Sequence, residues 1–171
     1  MSFEVESLRA LAHPVRLQML SLLTGAELSA TEVAHELNIT QANASYHLRQ
    51  LLSAGLVVVA EERPIRGGVA KIYRHPQEIA SPTRRSGAGA DRLFAQALAA
   101  EMVRRAELRR EQGRGTSTDA ELWVEPDVWT EVVDAMTNAS QRLHAAARPP
   151  RSPGTIRTST TTSLFEMETD R

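Results

Sequence analysis

A short polar stretch in the first half of the chain carries side chains of the types that read base pairs. Gln41 and Asn43 have amides, which can hydrogen-bond to adenine in the major groove, and Arg49 has the guanidinium group that suits guanine or a phosphate. Ser45 and Tyr46 add hydroxyl groups to the same stretch. Taken alone, these residues are also what an exposed helix start carries. Their interpretation therefore depends on the element that positions them.

The residues around this stretch predict two helices joined by a tight turn. Ser29 and Glu32 have the spacing of a capping box, which begins a helix, and Asn38 ends that helix. Thr40 then caps a second helix, which runs up to Gly55. A turn this short between two helices is typical of a helix-turn-helix corner.

The elements on either side complete a recognisable order. Residues 1–24 predict two helices, of which the second opens at Pro14, where proline is harmless, and closes at Gly25. The β-branched run 56–60 and the run 69–74 predict two strands of a hairpin, separated by a turn that contains glycine. Helices, turn, helix and hairpin follow one another as in a winged helix.

The charge balance of this part differs from that of the whole chain. The chain has a formal net charge of −1, which argues against general affinity for nucleic acid. Residues 40–75 contain five basic and two acidic side chains, a balance of +3. One basic edge on a nearly neutral protein fits binding to a specific duplex site better than coating of nucleic acid at large.

Three separated motifs in this part resemble the ArsR family of bacterial winged-helix regulators. They are LAHPVRL at 11–17, TQANASYHLR at 40–49 continued by LSAGLV at 52–57, and KIYR at 71–74. The resemblance covers residues 3–75. It implies a homodimer that binds a palindromic operator, usually as a repressor that an effector releases.

The same resemblance implies which residues contact double-stranded DNA. A recognition helix uses side chains near its N-terminus, and the wing meets the backbone or the minor groove. The implied contacts are Thr40, Gln41, Asn43, Ser45, Tyr46 and Arg49 on the helix, and Arg63, Arg66 and Lys71 on the wing. His47 either touches a phosphate or bridges two helices. Tyr73 is either part of the wing core, which we favour, or a phosphate donor.

The chain is expected to divide into a winged helix-turn-helix at 1–80, a linker at 81–90, and a dimerisation or effector region at 91–171. The fold class is mainly α with a small β component (α+β). In the second region the sequence predicts a long helix at 91–112 and a further helix opening at Pro126. It also predicts a short strand at 119–125 and one or two strands at 155–167, which pair with each other or across a dimer.

Apolar residues of the second region need a cover. Leu93, Phe94 and Leu98 on the long helix are expected at a homodimer interface. Large apolar side chains further along either belong to the core and the interface, which we favour, or line a pocket for a small organic effector. These are Trp123, Trp129, Met136, Phe165 and Met167.

Several function classes find no support. The chain has no cysteine and its histidines show no i, i+4 pairing, so neither a metal site nor a cofactor is expected. No catalytic motif is present, so an enzyme is not expected. The N-terminus lacks a signal peptide and no run of about 18 apolar residues occurs, which predicts a cytoplasmic protein without membrane contact. The remaining alternative is a winged helix that binds proteins and not DNA.

Overall fold

The computed structural model describes residues 3–66, 68–76 and 88–168. Six helices and three strands lie within these ranges. They are α1 (Phe3–Leu11), α2 (Pro14–Gly25), β1 (Leu28–Ser29), α3 (Ala30–Leu37), α4 (Gln41–Ser53), β2 (Val58–Ile65), β3 (Gly68–Arg74), α5 (Ala88–Ala106) and α6 (Pro126–Ala145). The fold is α+β, a winged helix-turn-helix with further helices, as the sequence predicts.

Local hydrogen bonds fix the corner between α3 and α4. The Ser29 hydroxyl accepts a bond from the Glu32 backbone N–H at 3.3 Å, and the Glu32 carboxylate accepts one from the Ser29 N–H at 2.7 Å, so the predicted capping box is confirmed. Asn38 ends α3 in the left-handed conformation, with φ of 52°. The Thr40 hydroxyl accepts from the Asn43 N–H at 3.2 Å and caps α4. The side chains that end one helix and begin the next thus define the turn.

The small sheet is antiparallel, with strand order β1-β3-β2. The hairpin of β2 and β3 is confirmed, but β2 begins at Val58 and continues past the predicted end to Ile65. Pro64 can lie inside β2 because this is an edge strand, where a missing N–H removes no ladder bond. The two-residue strand β1, which pairs Leu28 with Tyr73, has no periodic signal in the sequence.

The core lies between the first four helices, the base of the wing and α5. Side chains such as Met19, Val33, Leu48 and Leu51 are fully buried there. Helix α5 packs across α1 and α2 and contributes the buried Ala97. The predicted long helix therefore exists, but it belongs to the packing of the first region.

The bounds of α5 differ from those expected. The helix begins at Ala88, inside the predicted linker, whose remaining residues 81–87 lie outside the described ranges. It ends at Ala106 and not at residue 112, and turns follow in which the N–H of Leu108 bonds to the carbonyl of Arg105 at 3.1 Å. Beyond this point the apolar residues no longer face a core, so tertiary packing does not stabilise further turns of the helix.

The predicted strands of the second region are wrong. Residues 119–125 and 155–167 run as irregular chain, whereas α6 forms where the sequence places it. A strand needs a neighbour to receive its backbone hydrogen bonds, and within the described ranges neither segment has one. No residue of α6 is buried.

One loop attaches the second region to the helix-turn-helix. A Cβ atom at Gly25, the last residue of α2, would lie 2.6 Å from the carbonyl oxygen of Arg148. Arg151, which has a φ of 63°, donates a short hydrogen bond to the carboxylate of Glu36 on α3. The loop therefore touches α2 and α3.

Candidate nucleic-acid interface

Helix α4 has one buried and one exposed side. Ala44 and Leu48 face the core with no exposed surface, and Leu51 continues that side one turn later. The polar residues singled out in the sequence lie on the other side: Thr40, Gln41, Asn43, Tyr46 and Arg49 are exposed and Ser45 is half-buried. The structure thus brings the six helical candidates together on one outward surface.

The exposed side chains of α4 are only lightly held. Tyr46 is 50% exposed. The Arg49 guanidinium donates through Nε to the Ser45 carbonyl at 3.3 Å, one turn back on the same helix. A bond of this kind is weak and exposed, so it leaves the side chain able to reach a partner outside the protein.

Two histidines anchor α4 to the start of α2. The ring centroids of His13 and His47 are 4.5 Å apart, and the Tyr46 ring meets His47 edge-on at 5.2 Å. Burial lowers the pKa of both histidines; the charge of Arg16 lowers it further, and for His47 the neighbouring His13 does so too. His47 is only 5% exposed, so it bridges the two helices and is not placed to touch a phosphate.

Arg16 is a positioning residue that the sequence did not single out. Its Nε donates to the carbonyl of Ala10 and its Nη2 to the carbonyl of Arg9 at 2.9 Å. These carbonyls belong to the last turn of α1, where a cation also meets the negative end of the helix dipole. The arginine two positions after Pro14 in the HPVR motif was the available signal.

The wing carries its cations beside acids of its own. Arg63 donates two hydrogen bonds to the Glu61 carboxylate, one from Nε at 3.2 Å and one from Nη2 at 3.1 Å. Lys71 Nζ lies 3.9 Å from the carboxylate of Glu62. Arg66 is exposed at the turn of the hairpin. These pairs were predictable in principle, since alternate strand residues share a face and Glu62 is the register partner of Lys71.

Tyr73 lies in the core of the wing, as favoured. It is 7% exposed, and burial raises the pKa of its hydroxyl. The wing therefore presents its charged side chains outward from a base that is packed on the helices.

The residues expected at a dimer interface have mixed environments. Leu93 is 52% exposed, whereas Phe94 and Leu98 are half-buried against the core of their own chain. Only the first of the three is exposed.

The apolar residues considered for an effector pocket do not enclose one. Trp123 is 87% exposed, Phe165 68% and Met167 58%, and Trp129 and Met136 are not buried either. Two depressions on the described surface, one along α3 and one between the end of α2 and the base of the wing, contain none of these five side chains.

In the part of the chain that the structure describes, no group of three or more metal-ligating side chains lies together. No helix among the described residues is both long enough and apolar enough to cross a membrane.

Similarity to a known family is found in the helix-turn-helix part of the chain. No curated protein matches the chain. One solved structure that matches is a fragment, residues 1–100, of a possible transcriptional regulatory protein from Mycobacterium bovis. It is 30% identical, the match covers 57% of this chain and 89% of that fragment, and the TM-score is 0.35. Residues 11–60 match the family model described as a helix-turn-helix domain. The chain therefore carries a helix-turn-helix domain, and α4 is the second helix of its motif.

Proposed function

We propose that this protein is a sequence-specific DNA-binding transcriptional regulator that acts as a homodimeric repressor on a palindromic operator. The observation that carries the proposal is the two-sided character of α4, which is buried on one side and presents amide, hydroxyl and guanidinium groups on the other. The resemblance to ArsR regulators supports the dimer and the repressor role.

The exposed groups suit the two parts of a duplex. Gln41 and Asn43 would form paired hydrogen bonds to adenine, and Arg49 would reach a guanine or a phosphate. Thr40 lies at the N-terminus of α4, where the helix dipole attracts a phosphate. The His13–His47 contact would hold the reading surface in place from below.

The wing would contribute contacts that do not depend on sequence. Arg63 and Lys71 would exchange exposed carboxylate partners for DNA phosphates at little cost, because exposed ion pairs contribute little to stability. Arg66, exposed at the turn of the hairpin, would add a further phosphate contact.

The ion pairs of the wing also favour a second candidate, a winged helix that binds proteins. Glu61 and Glu62 lower the positive charge of the surface that would approach DNA. A protein partner would tolerate this mixed charge, whereas a phosphate backbone would not benefit from it.

Selection of DNA from a random pool, followed by gel-shift titration of the selected site, tests the proposal. Gln41→Ala and Arg49→Ala should each weaken binding by about 5- to 150-fold, because a good paired contact to a base contributes about 1–3 kcal/mol. Gln141→Ala and Arg110→Ala remove the same groups from exposed positions outside the helix-turn-helix and should leave binding unchanged.

Two results would contradict the proposal. Equal binding by the α4 variants and their controls would show that α4 does not read the site. Failure of the wild-type protein to select any sequence would favour the protein-binding alternative.

A further inference from the structure

Helix α6 carries a regular apolar stripe without a cover. Trp129, Val132, Met136, Ala139 and Leu143 follow one another at spacings of three, four, three and four residues, which places them along one side of the helix. Val132, Met136 and Leu143 remain 43%, 41% and 47% exposed. Residues 129–143 thus form a coiled-coil-like seam in which Trp129 is half-buried and the other four side chains are exposed.

The exposed surface of the whole chain exceeds that of a compact monomer of the same mass. It amounts to 13122 Å², whereas a folded monomer of 18.8 kDa exposes about 8,300 Å². Even if the residues outside the described ranges exposed all they can, about 2,700 Å², about 2,100 Å² of excess would remain. Stable homodimers bury about 1,000–2,500 Å² per subunit, so the surface left exposed is large enough to accommodate one partner copy.

Charge is segregated along this part of the sequence. Residues 119–134 contain six acidic and no basic side chains, and residues 135–165 contain four arginines and no acidic side chain. Within α6 the acids therefore fall in the N-terminal half, and Arg142 falls in the last turn. The acidic N-terminal half of α6 can lie beside the basic C-terminal end of α6 in a second copy only if the two helices run in opposite directions.

We propose that α6 packs antiparallel against α6 of a second copy of the chain, about a two-fold axis that passes beside Met136. The two ends of the stripe lie seven residues on either side of Met136, so Trp129 would face Leu143 of the partner subunit. This pairing also sets the two helix dipoles in opposite directions. It deepens the homodimer of the proposed function by naming the element that pairs, and it does not depend on DNA binding.

The antiparallel arrangement defines a specific charge contact. Glu131 and Arg142 are eleven residues apart, about three helical turns, so they lie above one another on the same side of α6. Reversal about Met136 brings residue 131 level with residue 141 of the other copy. Glu131 therefore lies within reach of Arg142 of the partner subunit, and the symmetry gives two such contacts.

Sedimentation equilibrium of the full chain without DNA tests the pairing. The wild type should be a dimer, and Met136→Arg should raise its dissociation constant at least 100-fold, because two like charges would meet at the axis. Gln141→Arg adds the same charge on the opposite side of α6 and should leave the dimer unchanged. Neither variant should unfold the subunit, since no residue of α6 is buried, and circular dichroism checks this.

A charge exchange tests the direction of the helices. Glu131→Arg and Arg142→Glu should each weaken the dimer about tenfold, and the double variant should restore it. In a parallel pair, residue 131 would face its own copy, so neither single variant would weaken the dimer. Failure of the double variant to restore dimerisation would overturn the antiparallel register.

The outcomes separate this inference from the proposed function. A monomeric wild type, or a dimer that Met136→Arg does not weaken, would overturn α6 pairing, including the case in which another protein or a small molecule covers the stripe. Neither result bears on whether α4 reads DNA. Conversely, Gln41→Ala should dimerise like the wild type even where it no longer binds the selected site.

Discussion

Two helices of this protein, α4 and α6, have apolar stripes of similar regularity and very different surroundings. On α4 the stripe is covered by the same chain, and Leu48 has no exposed surface. On α6 the equivalent leucine, Leu143, is 47% exposed. Every buried side chain among the described residues lies between Ser7 and Glu101. Periodicity thus shows that a helix has a face to bury, but not which molecule covers that face.

The two helices should differ most in their response to the same substitution, leucine to alanine. Leu48→Ala should lower the free energy of unfolding by about 3–5 kcal/mol, because it leaves a cavity in a closed core. Leu143→Ala should change it by less than about 0.5 kcal/mol in the monomer, because its side chain already meets water. Urea unfolding followed by circular dichroism, at a protein concentration that keeps the subunits apart, measures both. Equal losses would mean that the second region is packed within a single chain.

The boundary between the two regions is marked by a buried carboxylate. Glu101 on α5 is 1% exposed; it accepts a hydrogen bond from Gln18 on α2 at 2.6 Å and from Arg104 at 2.8 and 3.1 Å. Burial raises the pKa of Glu101, but the hydrogen bonds from Arg104 and Gln18 and the charges of Arg104 and Arg105 outweigh it, so that the pKa lies below its usual value. The ionised group therefore ties α5 to α2.

Glu101→Gln should cost about 2 kcal/mol of unfolding free energy at neutral pH, since it removes charge-assisted hydrogen bonds. The wild-type stabilisation is complete above the ordinary pKa of 4.5 and is lost as the pH falls through the lowered folded-state pKa. The difference between variant and wild type should therefore shrink below about pH 4.5. Unfolding curves from pH 7 to pH 3.5 measure this, with the exposed Glu107→Gln as control. A difference that does not depend on pH would show that Glu101 is not ionised.

The smallest expected effects concern the N-terminal caps of α4 and α6. Thr40 caps α4 with its side chain, whereas Glu125, the residue before α6, makes no such bond. Thr40→Ala should lower global stability by about 1 kcal/mol. Glu125→Thr should slow hydrogen exchange in the first turn of α6 without changing global stability. Faster exchange there would show that threonine does not cap α6, and a global gain would show that the first turn of α6 contributes to the stability of the whole fold.

Local signals in the sequence predicted the helix-turn-helix well. The capping box of Ser29 and Glu32, the left-handed Asn38 and the Thr40 cap act over four residues or fewer, so they can be read without knowledge of the fold. Strand β1 was missed because its only reason to exist is its pairing with Ile72 and Tyr73, more than 40 residues away.

The sequence pattern predicted where the candidate site lies, but the count of charged residues did not predict the charge of its surface. The count of basic residues on the wing ignored the contacts of Arg63 with Glu61 and of Lys71 with Glu62, which depend on strand register. The strands expected at 119–125 and 155–167 failed for a related reason. Their β-branched residues favour extended chain, but a strand forms only where a neighbouring backbone is available.

Because Gly25 lies close to Arg148, the residue type allowed at position 25 depends on a backbone segment more than 120 residues later in the chain. A side chain at residue 25 would collide with a backbone carbonyl, which cannot swing away as a flexible side chain could. Within the intact protein, glycine is therefore required at the end of α2 by the loop and not by its own backbone angle. A designer who shortens the chain ahead of α6 gains the freedom to place a better helix former there.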